Sequence, residues 1–359
     1  MIKILHLQPE LNLACGITRT ISQIVNNSST HFEHHIIALG GDGFSRIQSN
    51  SVHLKIIERD RNSFLDSILI LYQIVSYLKM NSIDILHCHH RYFDSLVWVI
   101  KLFSKVKIIT SVQSKVFGKK KISYKADILI ACSDSIKNHL INNFNTSQNR
   151  IKVIYNMVDQ YQNLKKDSNV ITKIELQRAN NEFVIGFVGR LNYQEKGIDT
   201  LLAAFRDLTQ IYNNIKLMMI GDGIDNSKIQ EFIESYKLNA KLLSSVKNIF
   251  PYYKLMDILI VPSKIEPFGI VIIEAGMMKK TVIASNVDGI PELISNGENG
   301  LLFESGNVEE LKEQIIRIYN DRKFGEKLAE NLHKKVLDPF TADKIIPQYE
   351  KLYSELLVE

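Results

Sequence analysis

The feature that most constrains the fold of this 359-residue chain is an alternation of two hydrophobic periods that runs through it twice. Short apolar runs, too brief for helices, recur at Ile2–Leu7, His35–Leu39, Leu54–Ile57, Ile83–Cys88, Lys107–Ser111, Ile128–Cys132 and Lys152–Tyr155. Between several of them lie stretches with apolar residues three to four positions apart: Ile17–Asn26, Ser63–Met80 and Asp94–Ser104. The pattern restarts with strands at Phe183–Val188, Lys216–Ile220, Ile258–Val261 and Thr281–Ser285 and helices at 198–208, Asp225–Tyr236 and Val308–Asn320. Strands apolar on both faces, separated by amphipathic helices, belong in parallel sheets covered on each side. The expectation is therefore an α/β protein of two doubly wound, Rossmann-like domains facing across a cleft, with ligands at the carboxyl ends of the strands.

A polar, irregular stretch from Asp159 to Asn169 separates the two runs. It predicts a first domain over 1–160, a linker over 161–181 and a second domain over 182–336. Residues 337–359 carry the stripe Ile345, Ile346, Tyr349, Leu352, Tyr353, Leu356 and Leu357, which predicts a terminal helix packing back toward the first domain.

Hydrophobic content of 45% with 23% charged residues is that of a soluble globular protein. The first apolar run is interrupted by Gln8 and Pro9, too early for a signal peptide, and no stretch approaches the length of a membrane span. Cys15, Cys88 and Cys132 have neither disulfide nor zinc spacing, which fits a reducing cytoplasm. Charge is uneven: residues 1–164 hold 19 Lys and Arg against 11 Asp and Glu, and the remainder 25 against 28. Between Asp94 and Asp127 there is no acidic residue, while Lys101, Lys105, Lys107, Lys115, Lys119, Lys120, Lys121 and Lys125 alternate with Trp98, Phe103, Phe117 and Tyr124. Such a segment suits an anionic membrane surface on the cytoplasmic side or serves as a solubilising face. No nucleic-acid-binding module accompanies it, so nucleic acid is not an expected partner.

The chemistry concentrates in Ile258–Glu274. A strand ends at Pro262-Ser263, Glu266-Pro-Phe-Gly269 forms a turn, and a helix is expected from about Phe268. A glycine at a helix mouth admits backbone N–H groups to a ligand, and the helix N-terminus favours anions. Glu274 would lie about 9 Å along that helix at ~1.5 Å per residue. An anion at the tip with hydroxyl-bearing groups toward Glu266 and Glu274 has the layout of a nucleotide-sugar; the same pattern also suits a plain strand–turn–helix with a capping and a solvated glutamate. Arg190 and Lys196, just past the first strand of the second half, could neutralise a diphosphate as it leaves, without a metal ion.

With these residues the chain resembles the retaining glycosyltransferases of family 4, which have the GT-B fold. The matching stretches are FVGRL and KGIDTLLAAF within 187–205, MIGDG at 219–223, PSKIEPFGIVIIEA at 262–275 and IASNVDGIPELISNGENGLLF at 283–303. In the first half Gly16, DILHCH at 84–89, IACSDSIKN at 130–138 and VIYNMVD at 153–159 follow the pattern more loosely. The resemblance implies that Arg190 and Lys196 bind the donor diphosphate and Glu266 the hydroxyls of the donor sugar. Glu274 would bind the ribose, the backbone of Phe268, Gly269 and Ile270 would face the phosphates or sugar, and Gly16 would let a loop close over the diphosphate. It further implies a UDP- or GDP-sugar donor, a glycan or lipid-linked acceptor, front-face transfer with retention, no cofactor and no metal, and no His/Asp metal cluster is evident in the sequence. The sequence departs from the family at Gln113, where many members have a histidine, at Met157, and in the single glycine at the first loop. His89, with His87 and His90 nearby, is the candidate to stand with Gln113 on the acceptor side. A nucleotide-sugar epimerase of the same architecture and a binding subunit without turnover are the competing readings, and the absence of G-x-G-x-x-G after Leu7 disfavours a dinucleotide oxidoreductase.

Overall fold

The computed structural model describes residues 1–12, 15–48, 52–118, 120–158, 181–246 and 248–358. The chain forms two compact units, Met1–Met157 with Ala342–Glu359, and Val158–Thr341. The expected linker over 161–181 lies, apart from Asn181, outside the described residues.

In the first unit the strands are β1 (Ile2–Glu10), β2 (Phe32–Gly40), β3 (Val52–Ile56), β4 (Ile85–Cys88), β5 (Lys107–Val112), β6 (Ile128–Ala131) and β7 (Ile151–Val153). They form one sheet in the order β3-β2-β1-β4-β5-β6-β7, every described pair parallel. Its helices are α1 (Gly16–Asn27), α2 (Phe64–Met80), α3 (Arg91–Asp94), α4 (Val97–Phe103) and α5 (Asp134–Phe144). The helix read as continuous over Asp94–Ser104 is instead α3 and α4. Asp94 turns inward, fully buried, and accepts hydrogen bonds from Thr110 Oγ1 (2.8 Å) and from the backbone N–H of Tyr124. Its side chain is thus committed to anchoring neighbouring segments, and the helix breaks after it.

The second unit contains β8 (Phe183–Val188), α6 (Tyr193–Lys196), α7 (Ile198–Thr209), β9 (Ile215–Ile220), α8 (Asn226–Ser235), β10 (Ala240–Leu243), α9 (Phe250–Leu255) and β11 (Ile258–Val261). It continues with α10 (Ile270–Met277), β12 (Thr281–Ser285), α11 (Ile290–Leu293), β13 (Leu301–Phe303), α12 (Val308–Asn320) and α13 (Arg322–Val336). The second sheet is parallel in the order β10-β9-β8-β11-β12-β13. In each sheet the strand order reverses beside the first strand: β1 lies between β2 and β4, and β8 between β9 and β11. Chain segments leaving the carboxyl ends on either side of such a point diverge and leave a crevice for a ligand.

The last helix, α14 (Ala342–Val358), returns to the first unit. Its Ile345, Ile346, Tyr349, Leu352, Tyr353 and Leu356 are buried against Ile4, Ile85, Ile109 and Ile130 of the sheet. Each such side chain contributes about 1.5–3 kcal/mol when fully removed from water, so α14 is part of the core of that unit although it comes last in the chain.

Candidate active site

The loops after β8 and β11, neighbours at the reversal point of the second sheet, carry Arg190, Lys196, Glu266 and Gly269. β11 is wholly buried and leads through Pro262 and the buried Ser263 to Glu266. α10 begins at Ile270, two residues later than the sequence suggests, because Gly269 takes a left-handed φ of 98° and turns the chain into the helix. Glu274 therefore lies four residues past the helix start, about 6 Å along it.

The α6 turn is docked directly on this segment. The backbone N–H groups of Lys264 and Ile265 both donate to the carbonyl of Glu195, at 2.8 and 3.1 Å. Gly197, at φ 58°, approaches so closely that a Cβ there would fall 1.9 Å from the Pro262 carbonyl oxygen. This contact presents Lys196 to Glu266: Lys196 Nζ donates to Glu266 Oε2 at 2.7 Å, with side chains 17% and 11% exposed. Ser263 Oγ donates to the same oxygen at 3.0 Å. Both bonds fall on Oε2, so half of the carboxylate is fixed while Oε1 has no hydrogen bond among the described residues. The backbone of Glu266 is braced from the loop after β12, its N–H donating to Asp288 Oδ2 at 2.9 Å and its carbonyl accepting from Gly289.

At the mouth of α10 no side chain caps the helix and no acidic residue lies in its first turn. The first-turn amides and their partial positive charge are therefore not neutralised by the protein's own side chains, a condition suited to an anion. Phe268, beside Gly269, is buried with its ring 5.7 Å from that of Phe340. Arg190 is highly exposed and pairs with Glu195 at 2.9 Å. Exposed pairs of this type contribute only ~0–1 kcal/mol, so the guanidinium can exchange its partner for a ligand anion at small cost. Glu274 is buried and accepts from Tyr253 Oη at 2.9 Å. At the end of β9, Asp222 accepts the Ser245 N–H at 2.8 Å, which holds its carboxyl below the usual range and ties down the 244–246 segment.

Ser263, Tyr253, Glu195 and Asp288 were not identified from sequence. Ser263 was detectable from its position three residues before Glu266; the other three are brought in only by the packing of separate elements.

In the first unit Gly16 is the first residue of α1, and Gln113 stands half-buried just after β5. His89 is fully buried inside a group of imidazoles. Its Nε2 lies 2.9 Å from His6 Nδ1, and His6 Nε2 lies 2.9 Å from His34 Nδ1. His87, its ring centroid 3.9 Å from that of His89, bonds Tyr353 Oη at 2.9 Å and Ser111 Oγ at 2.8 Å. Burial pushes the His89 imidazole down to about 3, and His6 and His87, also desolvated and crowded by their neighbours, well below the ordinary value. His90 serves as the N-cap of α3, accepting the Tyr92 N–H. Of the three histidines weighed beside Gln113, two are thus core residues and one a cap. The sheet also gathers His6, His87 and His89, and separately Glu33, His35 and His53, the ligand atoms of each group within 4.8 Å of one another. Neither group lies in the second unit.

A parallel Rossmann-like domain joined to a second such domain is the arrangement of the GT-B fold. The family models agree: glycosyl transferases group 1 matches residues 171–335, and glycosyltransferase family 4 matches residues 15–161. The chain belongs to the family 4 glycosyltransferases and is related to enzymes of capsular polysaccharide biosynthesis. Among its relatives, the capsular polysaccharide biosynthesis glycosyltransferase CapM of Staphylococcus aureus is 30% identical over 238 residues, 64% of this chain and 62% of that protein. The chain therefore spans less than two thirds of the length of this relative. An uncharacterised 41.2 kDa protein of the cps region of Klebsiella pneumoniae is 30% identical over 282 residues, 70% of this chain and 74% of that one. Anabaena HepE, solved in complex with UDP-glucose, has the same fold, with a TM-score of 0.85 at 20% identity over 99% of this chain and all of that one.

Proposed function

We propose that this chain transfers a sugar, with retention of configuration, from a UDP- or GDP-sugar to a glycan or lipid-linked acceptor of a surface polysaccharide. The observation that carries the proposal is the Lys196–Glu266 pair beside the uncapped mouth of α10. In this reading the diphosphate meets the α10 amides, Lys196 and Arg190, while Glu266 Oε1 takes sugar hydroxyls and Glu274 the ribose. Transfer breaks the bond between the anomeric carbon and the β-phosphate oxygen and forms one to the acceptor oxygen on the same face. The acceptor's proton passes to the departing phosphate. Lys196 and Arg190 stabilise the charge on that leaving group, and no metal ion is assigned a step. A UDP-glucose complex of the fold relative HepE favours a uridine donor. Incubating the protein with single nucleotide-sugars in the absence of acceptor tests the reading: one of them should release UDP or GDP slowly, and release from none would overturn it.

We further place the enzyme on the anionic inner surface of a membrane, through the first unit. No helix among the described residues is long and apolar enough to cross a membrane. α2 and α4 pack together and expose Phe64, Leu65, Tyr72, Trp98, Leu102 and Phe103, each more than half accessible. Exposed Lys105, Lys120, Lys121 and Lys125 follow along the same unit. Tyr124 does not join this surface: it is buried, with φ 60°. Clustered aromatics beside lysines suit a headgroup region, each near-surface lysine contributing ~1 kcal/mol. Sedimentation with vesicles of anionic lipid should retain the wild type at low salt and lose it for Trp98→Ala combined with Phe103→Ala. Equal retention of that variant would remove the membrane surface from the account.

A further inference from the structure

Strands β2 and β3 bring together three groups of a different character from the transfer machinery. His35 on β2 stands opposite His53 on the edge strand β3 in the parallel register. Glu33, two residues before His35, shares its face because side chains alternate along a strand. Glu33 Oε1 lies 2.9 Å from His35 Nε2 and 3.5 Å from His53 Nε2. The three ligand atoms all fall within 4.8 Å of one another. A tetrahedral zinc site with bonds of ~2.0–2.1 Å spaces its ligand atoms about 3.4 Å apart, so both distances to Glu33 are near that value without movement of the backbone. His35 Nδ1 lies 2.9 Å from Tyr77 Oη. That contact orients the ring and directs Nε2 into the group, the role outer partners play for metal-bound histidines. His35 is buried, Glu33 mostly so, and His53 is 61% exposed, which gives an ion a path from solvent and leaves a fourth position to water.

Two neighbours bear on the site. Lys3 Nζ is 3.9 Å from Glu33 Oε1 and competes with a cation for that carboxylate. The other histidine group, His6, His87 and His89, is fully buried, and its ring nitrogens other than His89 Nδ1 are engaged with one another, with His34, with Tyr353 or with Ser111. A metal there would have to break several fully buried bonds, whereas at Glu33 it replaces one hydrogen bond, from His35 Nε2, together with the exposed His53 contact and the Lys3 pair.

We infer that Glu33, His35 and His53 form a site for a divalent transition metal of the zinc type, which fastens the edge strand β3 to β2. Two imidazoles and a carboxylate are hard-to-borderline donors suited to Zn2+ and Co2+. The test is calorimetric titration of the full chain with Zn2+, with Co2+ absorption as a reporter of tetrahedral geometry. Wild type should bind one ion at this site, and His53→Ala, which removes an exposed side chain and leaves the core intact, should weaken that binding by at least about tenfold. Lys3→Gln should tighten it. Unchanged affinity in His53→Ala would place the ion elsewhere and overturn the assignment, as would absence of binding in the wild type.

Discussion

Glu266→Ala is expected to abolish sugar transfer while leaving the protein folded. The carboxylate is fixed through Oε2 by Lys196 and Ser263, so the free Oε1 is oriented before a donor arrives. Hydrogen bonds between a charged group and a hydroxyl contribute about 1.5–3 kcal/mol each, and loss of two from the reacting sugar lowers kcat/KM by roughly 10²- to 10⁴-fold. The truncation also leaves Lys196 without its partner in a mostly buried position. Some loss of stability follows, and a melting curve measured alongside separates it from the catalytic loss. Glu266→Gln keeps the shape and one acceptor oxygen but weakens the hold of Lys196. It should retain donor binding better than the alanine variant and still turn over poorly. Wild-type rates in both variants would remove Glu266 from the site.

A second large effect is expected from acid. His6, His87 and His89 are buried and held neutral, all with values depressed below that of a free imidazole, His89 to about 3. In the unfolded chain each takes up a proton near the ordinary value of ~6.5. Below that pH the unfolded state binds more protons than the folded one, so stability is complete above it and falls as the pH drops toward the folded values. The slope approaches about 1.4 kcal/mol per pH unit for each histidine, or on the order of 2 kcal/mol each by pH 5. Three such groups rival the ~5–15 kcal/mol stability of an ordinary domain. Buried Asp94, whose carboxyl is raised by burial, acts in the opposite direction, while His34, bonded to His6 and pushed down by burial to about 4, adds to the three. Urea unfolding followed at pH 7.5, 6 and 5 should show a steep loss in the first unit. His87→Gln, which can still bond Tyr353 and Ser111, should reduce the slope by about one proton; a flat profile between pH 7.5 and 5 would contradict the neutral cluster.

The donor half was legible because its chemistry is local. Strand, turn, glycine and helix follow one another between Ile258 and Glu274, and Arg190 and Lys196 sit immediately after another strand. The histidine cluster was not, because His6, His34 and His87 meet only once β1 is known to lie between β2 and β4. Glu33, His35 and His53 needed the register of two strands, which periodicity does not specify. α13 went unread because charge obscures its stripe, although Asp321 caps it through the Phe324 N–H and Leu328, Leu332 and Val336 recur at four-residue intervals on its buried face. The break within 91–103 follows from one carboxylate turned inward, a tertiary effect that overrides helix propensity.

The most direct test of the donor assignment is the change in melting temperature with UDP-glucose, UDP-N-acetylglucosamine, GDP-mannose and NAD, for the wild type and for Arg190→Ala. A ligand at a hundred times its Kd stabilises the folded state by about 2.7 kcal/mol, or roughly 5–10 °C for a domain of this size. At least one UDP- or GDP-sugar should produce that rise and NAD should not. Arg190 is exposed, so its removal should leave the unliganded melting point unchanged and reduce the ligand-induced shift by half or more. No shift with any nucleotide-sugar, or an undiminished shift in Arg190→Ala, would contradict the site.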